Sequence, residues 1–139
     1  IGCEAADTFA AIAPVAGVLS LPPEKCQPTK AVSSIAFHGT WDFVSSYKEA
    51  GGFSTMGALE MFSLWAKKNQ CKGMPIVTFQ GDNVSCESYQ SCAEGAEIKF
   101  CTIKRGGHCW PGRPCRLGAS STINGSEMIV DFLLQFERG

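Results

Sequence analysis

The sequence has no apolar run near the about eighteen residues a helix needs to cross a bilayer, so no membrane span is expected. It has no surplus of charge. Twelve Lys and Arg stand against thirteen Asp and Glu, a formal net charge of -1, which gives no ground to expect nucleic acid or an anionic membrane surface as a partner. No C-x-x-C pair occurs, which removes the strongest zinc signature. No basic segment followed by an apolar one opens the chain, so no secretory leader is visible. Histidine is scarce, with only His38 and His108. The most consequential absence is a G-x-S-x-G nucleophile turn. Gly52-Phe53-Ser54-Thr55-Met56 and Gly118-Ala119-Ser120-Ser121-Thr122 come nearest, but both lack the closing glycine. Neither follows a buried strand, as that motif requires, and no cysteine supplies the setting either.

What is present describes one globular domain spanning 1–139, with 45% hydrophobic and 18% charged residues. Eight cysteines are unusual: Cys3, Cys26, Cys71, Cys86, Cys92, Cys101, Cys109 and Cys115. An even, dispersed set points to disulfides and an oxidising, extracellular compartment. Zinc is the rival reading, since Cys86 and Cys92, and Cys109 and Cys115, are each separated by five residues. No metal and no cofactor are expected.

Phobic patterning sets the elements. Ile1 to Phe9 reads as the tail of a helix, with no N-cap signal at its start. Phe9 to Gly17 is a short apolar run, expected as a strand buried on both faces. Leu19 to Lys30, with three prolines, is a surface loop. Ala31 to Phe37 is a second buried strand, ending in the loop His38-Gly39-Thr40-Trp41-Asp42. Met56 to Asn69 is a helix, with Met56, Leu59, Phe62, Leu64 and Trp65 as its apolar stripe. Pro75–Phe79, Val84–Tyr89 and Glu97–Ile103 are extended, the last two joined by a hairpin loop over Ser91–Gly95. Ser126 to Phe136 is a final helix, with Ser126 as the candidate cap. Strands alternating with helices give an α/β sheet with parallel central strands. If the hairpin turns near Ala93, Cys86 faces Cys101, at a Cα separation of roughly 4.5–5.5 Å that a disulfide can span.

Two residues are placed for chemistry. Asp42 follows a buried strand, and ligands of open α/β sheets gather beyond the carboxyl ends of strands. His108 sits in the loop Gly106-Gly107-His108-Cys109-Trp110-Pro111-Gly112, also just past a strand. Acid before base, each after a strand, is the later part of the order Ser, Asp, His of α/β-hydrolases. In that arrangement the carboxylate holds one imidazole nitrogen and the other takes the serine proton. Each residue also has a plainer role, Asp42 in bonding its own turn and His108 as a loop residue. His38, at the end of a buried strand, reads as structural. Asp82, in a Gly-Asp-Asn turn, and Glu60, on a helix, are weaker candidates for the acid. Trp110 is either part of a substrate cleft or rigid packing for its loop with Pro111, and Trp41, beside the acid, is a further candidate for substrate contact.

Phe9-Ala10-Ala11-Ile12-Ala13-Pro14-Val15-Ala16-Gly17, Phe37-His38-Gly39-Thr40-Trp41-Asp42 and the Gly106–Gly112 loop, in this order, resemble the secreted polyhydroxybutyrate depolymerase and feruloyl esterase group of α/β-hydrolases. Trp65-Ala66-Lys67-Lys68-Asn69-Gln70-Cys71 and Cys92 to Ile103 resemble it too, so the likeness spans nearly the whole chain. The resemblance implies the C-terminal part of an α/β-hydrolase sheet: mostly parallel strands flanked by helices, with an added hairpin. It makes Asp42 the triad acid and His108 the triad base. It places the nucleophilic serine, the earlier strands and the oxyanion loop before Ile1, and makes Ile1 to Phe9 the end of the helix after the nucleophile turn. It also offers Cys71 with Cys92 and Cys3 with Cys26 as disulfides, and Cys109 with Cys115 would staple the base loop. Two departures are Cys109, where the group usually has threonine, and Cys101, where an aromatic is common.

The function these readings imply is a secreted serine carboxylesterase acting on feruloyl or acetyl esters of plant polysaccharide, or on short hydroxyalkanoate polyesters. The 139 residues alone are expected to be inactive without the missing N-terminal half. The alternative is a non-catalytic, disulfide-stabilised, secreted binding domain derived from an esterase.

Overall fold

The strand Ser33–Gly39 (β2) is buried at every residue and lies inside the sheet. In the computed structural model, which describes residues 1–51 and 55–138, five strands form one sheet in the order β1-β2-β5-β4-β3. The others are Ala11–Ile12 (β1), Ile76–Gln80 (β3), Val84–Tyr89 (β4) and Ile98–Ile103 (β5). β1 and β5 flank β2 and run parallel to it, while β4 is antiparallel to both β5 and β3. The sheet is therefore mixed, parallel on one side and a pair of hairpins on the other. Gly52, Phe53 and Ser54, part of one near approach to the nucleophile motif, lie outside the described residues.

Two helices cover the two faces. Helix α1 (Ala58–Lys68) opens with the Gly57 N–H donating to the Glu60 carboxylate at 2.7 Å, and ends with Lys67 and Lys68 near its negative pole. Its buried stripe is Ala58, Met61, Phe62, Trp65 and Ala66, packed with Val32, Ala36, Ile98 and Phe100. Phe62 stacks on Phe100 with ring centres 5.4 Å apart. Met61 takes the deep position expected for Leu64, which sits at the margin. Helix α2 (Gly125–Leu133) covers the other face, where Phe132 meets Ile35, Phe37, Cys86, Cys101 and Ile103. Alternation along β5 explains both layers: Ile98 and Phe100 point to α1, Cys101 and Ile103 to α2.

Several sequence expectations need correction. Asn124, not Ser126, caps α2, its Oδ1 accepting from the Glu127 N–H at 3.3 Å, because the helix starts one residue earlier than its apolar pattern suggests. It also ends at Leu133 rather than Phe136. Ile1 to Phe9 forms turns, with the Ala5 N–H on Ile1 O and the Phe9 N–H on Ala5 O, rather than a continuous helix. Phe9–Gly17 is not buried on both faces. Pro14 has no N–H to continue the ladder, so β1 stops at Ile12 and pairing resumes as a single bridge from Val15 to Phe37. Among the described residues no strand lies beyond β1, and its outer side opens on a groove of about 740 Å³.

All eight cysteines are paired: Cys3–Cys26, Cys71–Cys92, Cys86–Cys101 and Cys109–Cys115. Cys86 and Cys101 are direct cross-strand partners of the β4–β5 ladder, both fully buried. Among the described residues no group of three or more His, Cys, Asp or Glu could hold a metal ion, and no helix is long and apolar enough to cross a membrane. Four disulfides fit an extracellular protein.

Candidate functional site

Parallel pairing brings two distant loops to one end of the sheet. β2 and β5 are in register from Ser34–Ile98 to Gly39–Ile103, so both strands finish side by side. The chain then crosses itself at close quarters. A Cβ on Gly39 would stand 2.1 Å from the Gly106 carbonyl oxygen, so only glycine lets the backbones approach this far. Backbone bonds lace the loops: the Thr40 N–H donates to Ile103 O at 3.0 Å and the Trp41 N–H to Gly106 O at 2.8 Å. The Arg105 N–H returns to Thr40 Oγ1 at 2.7 Å.

This lacing places Asp42 and His108, 66 positions apart in sequence, in contact: His108 Nδ1 lies 2.9 Å from Asp42 Oδ2. The other oxygen, Oδ1, accepts the N–H groups of Val44 at 2.9 Å and Ser45 at 2.8 Å. That Asx turn fixes the plane of the carboxyl group and leaves Oδ2 aimed at the imidazole. A carboxylate oxygen only accepts, so Nδ1 carries the hydrogen and Nε2 is left as the basic nitrogen. The Asp42 side chain is wholly buried whereas the His108 side chain is 46% exposed. The pair is thus anchored on the acid side and open on the base side.

His38 is a second imidazole on the same carboxylate, its Nε2 3.5 Å from Asp42 Oδ2. Its stronger partner is the Ser45 carbonyl, to which the Nε2–H donates at 2.8 Å. Burial pushes the His38 pKa below 6.5, although the Ser45 carbonyl and Asp42 pull the other way. A neutral ring locked on the acid loop is a structural prop, in line with its position in β2. Glu60 is spent on the start of α1.

The two tryptophans part company. Trp41, half-exposed, lines a cleft of about 130 Å³ together with His108, Phe43, Val44, Cys109, Arg116 and Leu117. Trp110 lines the larger groove beside β1, and its Nε1–H donates to Ser126 Oγ at 3.1 Å, tying the base loop to α2. Sequence reasoning missed this role of Ser126. It also missed Arg116 and Leu117, which enter the cleft because the Cys109–Cys115 disulfide turns the chain back. The fold there is tight: a Cβ on Gly107 would lie 1.5 Å from the Leu117 carbonyl oxygen, and the Ala119 N–H donates to Arg105 O at 2.7 Å. A cysteine pair six residues apart was the available signal for that loop.

The chain is 39% identical over 119 residues to feruloyl esterase B of Piromyces equi, a match covering 77% of this chain and 22% of that protein. It is 26% identical over 159 residues to NocK of Nocardia uniformis subsp. tsuyamanensis, a protein named as an esterase, covering 96% of this chain and 46% of that one. The chain thus spans less than half the length of either relative. No family model matches. These likenesses support an esterase, carboxylic ester hydrolase lineage.

Proposed function

We propose that this chain carries the acid and base of a serine carboxylesterase. In this reading residues 1–139 are the C-terminal portion of one α/β-hydrolase domain, and the nucleophilic serine lies in sequence preceding residue 1. The observation that carries it is the Asp42 Oδ2–His108 Nδ1 contact of 2.9 Å, with the ring open to solvent on its other side. Asp42 holds the tautomer and stabilises the imidazolium; Nε2 takes the serine proton as the hydroxyl attacks the ester carbonyl, and returns it to the departing alcohol. The same nitrogen then activates the water that hydrolyses the acyl-enzyme. The absence of G-x-S-x-G from the sequence and the greater length of both relatives agree with a serine outside these residues. Feruloyl or acetyl esters on plant polysaccharide, or short hydroxyalkanoate polyesters, are the substrates of this reading, and the compartment is extracellular.

The test uses the longer coding sequence that contains this chain. It should hydrolyse p-nitrophenyl acetate and methyl ferulate, and Asp42→Asn should lower kcat by about 10⁴. The 139-residue chain alone should be inactive, since serine, base and oxyanion donors act as a unit. Hydrolysis by the 139-residue chain, lost on His108→Ala, would overturn the arrangement. So would a preceding sequence with no strand followed by G-x-S-x-G.

A further inference from the structure

Charge along the chain is unevenly spread. Residues 98–126 contain Lys99, Lys104, Arg105, Arg113 and Arg116, five of the twelve cations, and none of the thirteen acids. Lys99 pairs with Glu97 at 3.1 Å, below the site. The other four are exposed, and among the described residues none of them forms an ion pair. They belong to the segment that carries His108. The acid of the site, Asp42, is buried with both oxygens engaged, so it does little to neutralise this surface.

One of the four is built into the site. Arg116 lines the cleft that also holds His108, Trp41, Phe43 and Leu117. Its backbone is held close to the base loop from both sides. The Cys109–Cys115 disulfide precedes it by one residue, and Leu117 O and Gly118 are wedged against Gly107 after it. Its guanidinium, exposed and without an ion pair among the described residues, is a fork for a carboxylate, which it pairs through two parallel hydrogen bonds. Across the cleft, Trp41 is 51% and Phe43 80% exposed. Rings that large in water mark a surface meant to be covered by something flat and weakly polar on one face. A sugar ring has such a face in its C–H groups, and a uronic acid ring adds the carboxylate.

We propose that the cleft beside His108 binds a uronate ring of an acidic polysaccharide, with Trp41 as the stacking surface and Arg116 as the residue that reads the carboxylate. This rests on the reading of His108 as the catalytic base, because it puts the acidic sugar next to the ester to be cleaved. The remaining cations, Lys104, Arg105 and Arg113, favour further carboxylates along the polymer at low salt. A nucleic acid is disfavoured, since Arg116 is the one cation that lines the cleft of about 130 Å³ and the chain as a whole carries a charge of -1.

The test is a titration of the ¹⁵N-labelled longer protein that contains this chain. It follows the indole N–H resonances of Trp41, Trp65 and Trp110. Trigalacturonate should shift the Trp41 resonance saturably and leave that of buried Trp65 in place. Arg116→Gln should weaken binding roughly tenfold, the scale of a lost charge-assisted pair, with Arg116→Lys in between. Xylotriose, which is neutral, should bind at least about tenfold more weakly than trigalacturonate. Equal binding of xylotriose, unchanged affinity in Arg116→Gln, or a stronger response to a single-stranded oligonucleotide of equal charge would each overturn the proposal. An unshifted Trp65 resonance in the variants shows that the fold survives. No hydrolysis is read. Binding at Trp41 beside an inactive longer protein keeps this inference and sinks the esterase reading. An active longer protein with no shift at Trp41 does the reverse.

Discussion

The carboxyl ends of β2 and β5 and the open flank of β1 are built on opposite principles. At the strand ends nearly every group of two loops is engaged by the other loop. Glycine faces backbone, three main-chain N–H groups reach across, both oxygens of Asp42 are taken, and a disulfide closes the far side. Along β1, among the described residues, no strand pairs the outer edge. Ile12, Val18, Leu19, Trp65, Ile129 and Leu133 surround a groove of about 740 Å³, and the ladder is two residues long. The Asp42–His108 contact is therefore held by short-range bonds and by the register of β2 on β5, and is independent of the groove. The flank is the weaker part of the fold, since apolar area left in water contributes nothing to folding.

The comparison can be broken most sharply at Gly107. Gly107→Ala puts a methyl into the space of the Leu117 carbonyl oxygen, and no flexible side chain is there to give way. Its cost should be on the order of 3 kcal/mol or more in urea denaturation, with loss of the downfield Nδ1–H proton signal of His108. Survival of that signal at full stability would show that the loops are looser than their geometry implies.

A smaller effect comes from His38, the imidazole on the inner side of the same carboxylate. Burial holds its folded pKa below 6.5, so the unfolded chain binds that proton more readily. Its contribution to stability is complete above pH 6.5 and is lost as the pH falls from there through the folded value. Urea midpoints between pH 7.5 and 5 should therefore fall, and His38→Gln should flatten the fall. Asp42 and His108 lie against the same ring, so the comparison is made against wild type over the same range. An unchanged slope in the variant would remove His38 as the cause.

The smallest effect belongs to the groove. Leu133→Ser at its margin should change stability by less than about 1 kcal/mol while lowering binding of a hydrophobic dye. A loss as large as that of a core leucine, roughly 2–5 kcal/mol, would mean that the flank is already closed in solution.

Much of this was legible from local pattern. The helical stripe from Met56 to Trp65, the alternation in β5 and the glycine-rich loop after it are periodic or punctuated features that neighbours in sequence set by themselves. The opposition of Cys86 and Cys101 follows from a hairpin whose turn lies midway between them. Features spanning the chain were harder. Phe9 to Gly17 looks like an interior strand because its apolar content is high, yet Pro14 breaks the ladder and β1 ends at the margin. Ser126 looks like a cap because serine often is one, but Asn124 is two residues closer to the bend and Ser126 serves Trp110 instead.

The sequence by itself determined the alternation of strands and helices, the disulfide-rich character and the two residues, Asp42 and His108, that acid–base chemistry would need. The first two depend on residue type and local spacing, and the last on chain order and on the resemblance of the loops that carry both residues. Only the tertiary structure decided that His38 also reaches the carboxylate of Asp42, at 3.5 Å, and which tryptophan shares a cleft with His108. It also decided that Arg116 stands there. The physical reason is that these choices rest on the register of two strands more than sixty residues apart and on the N–H groups of Val44 and Ser45, which aim one carboxylate oxygen at a loop that no local pattern could place.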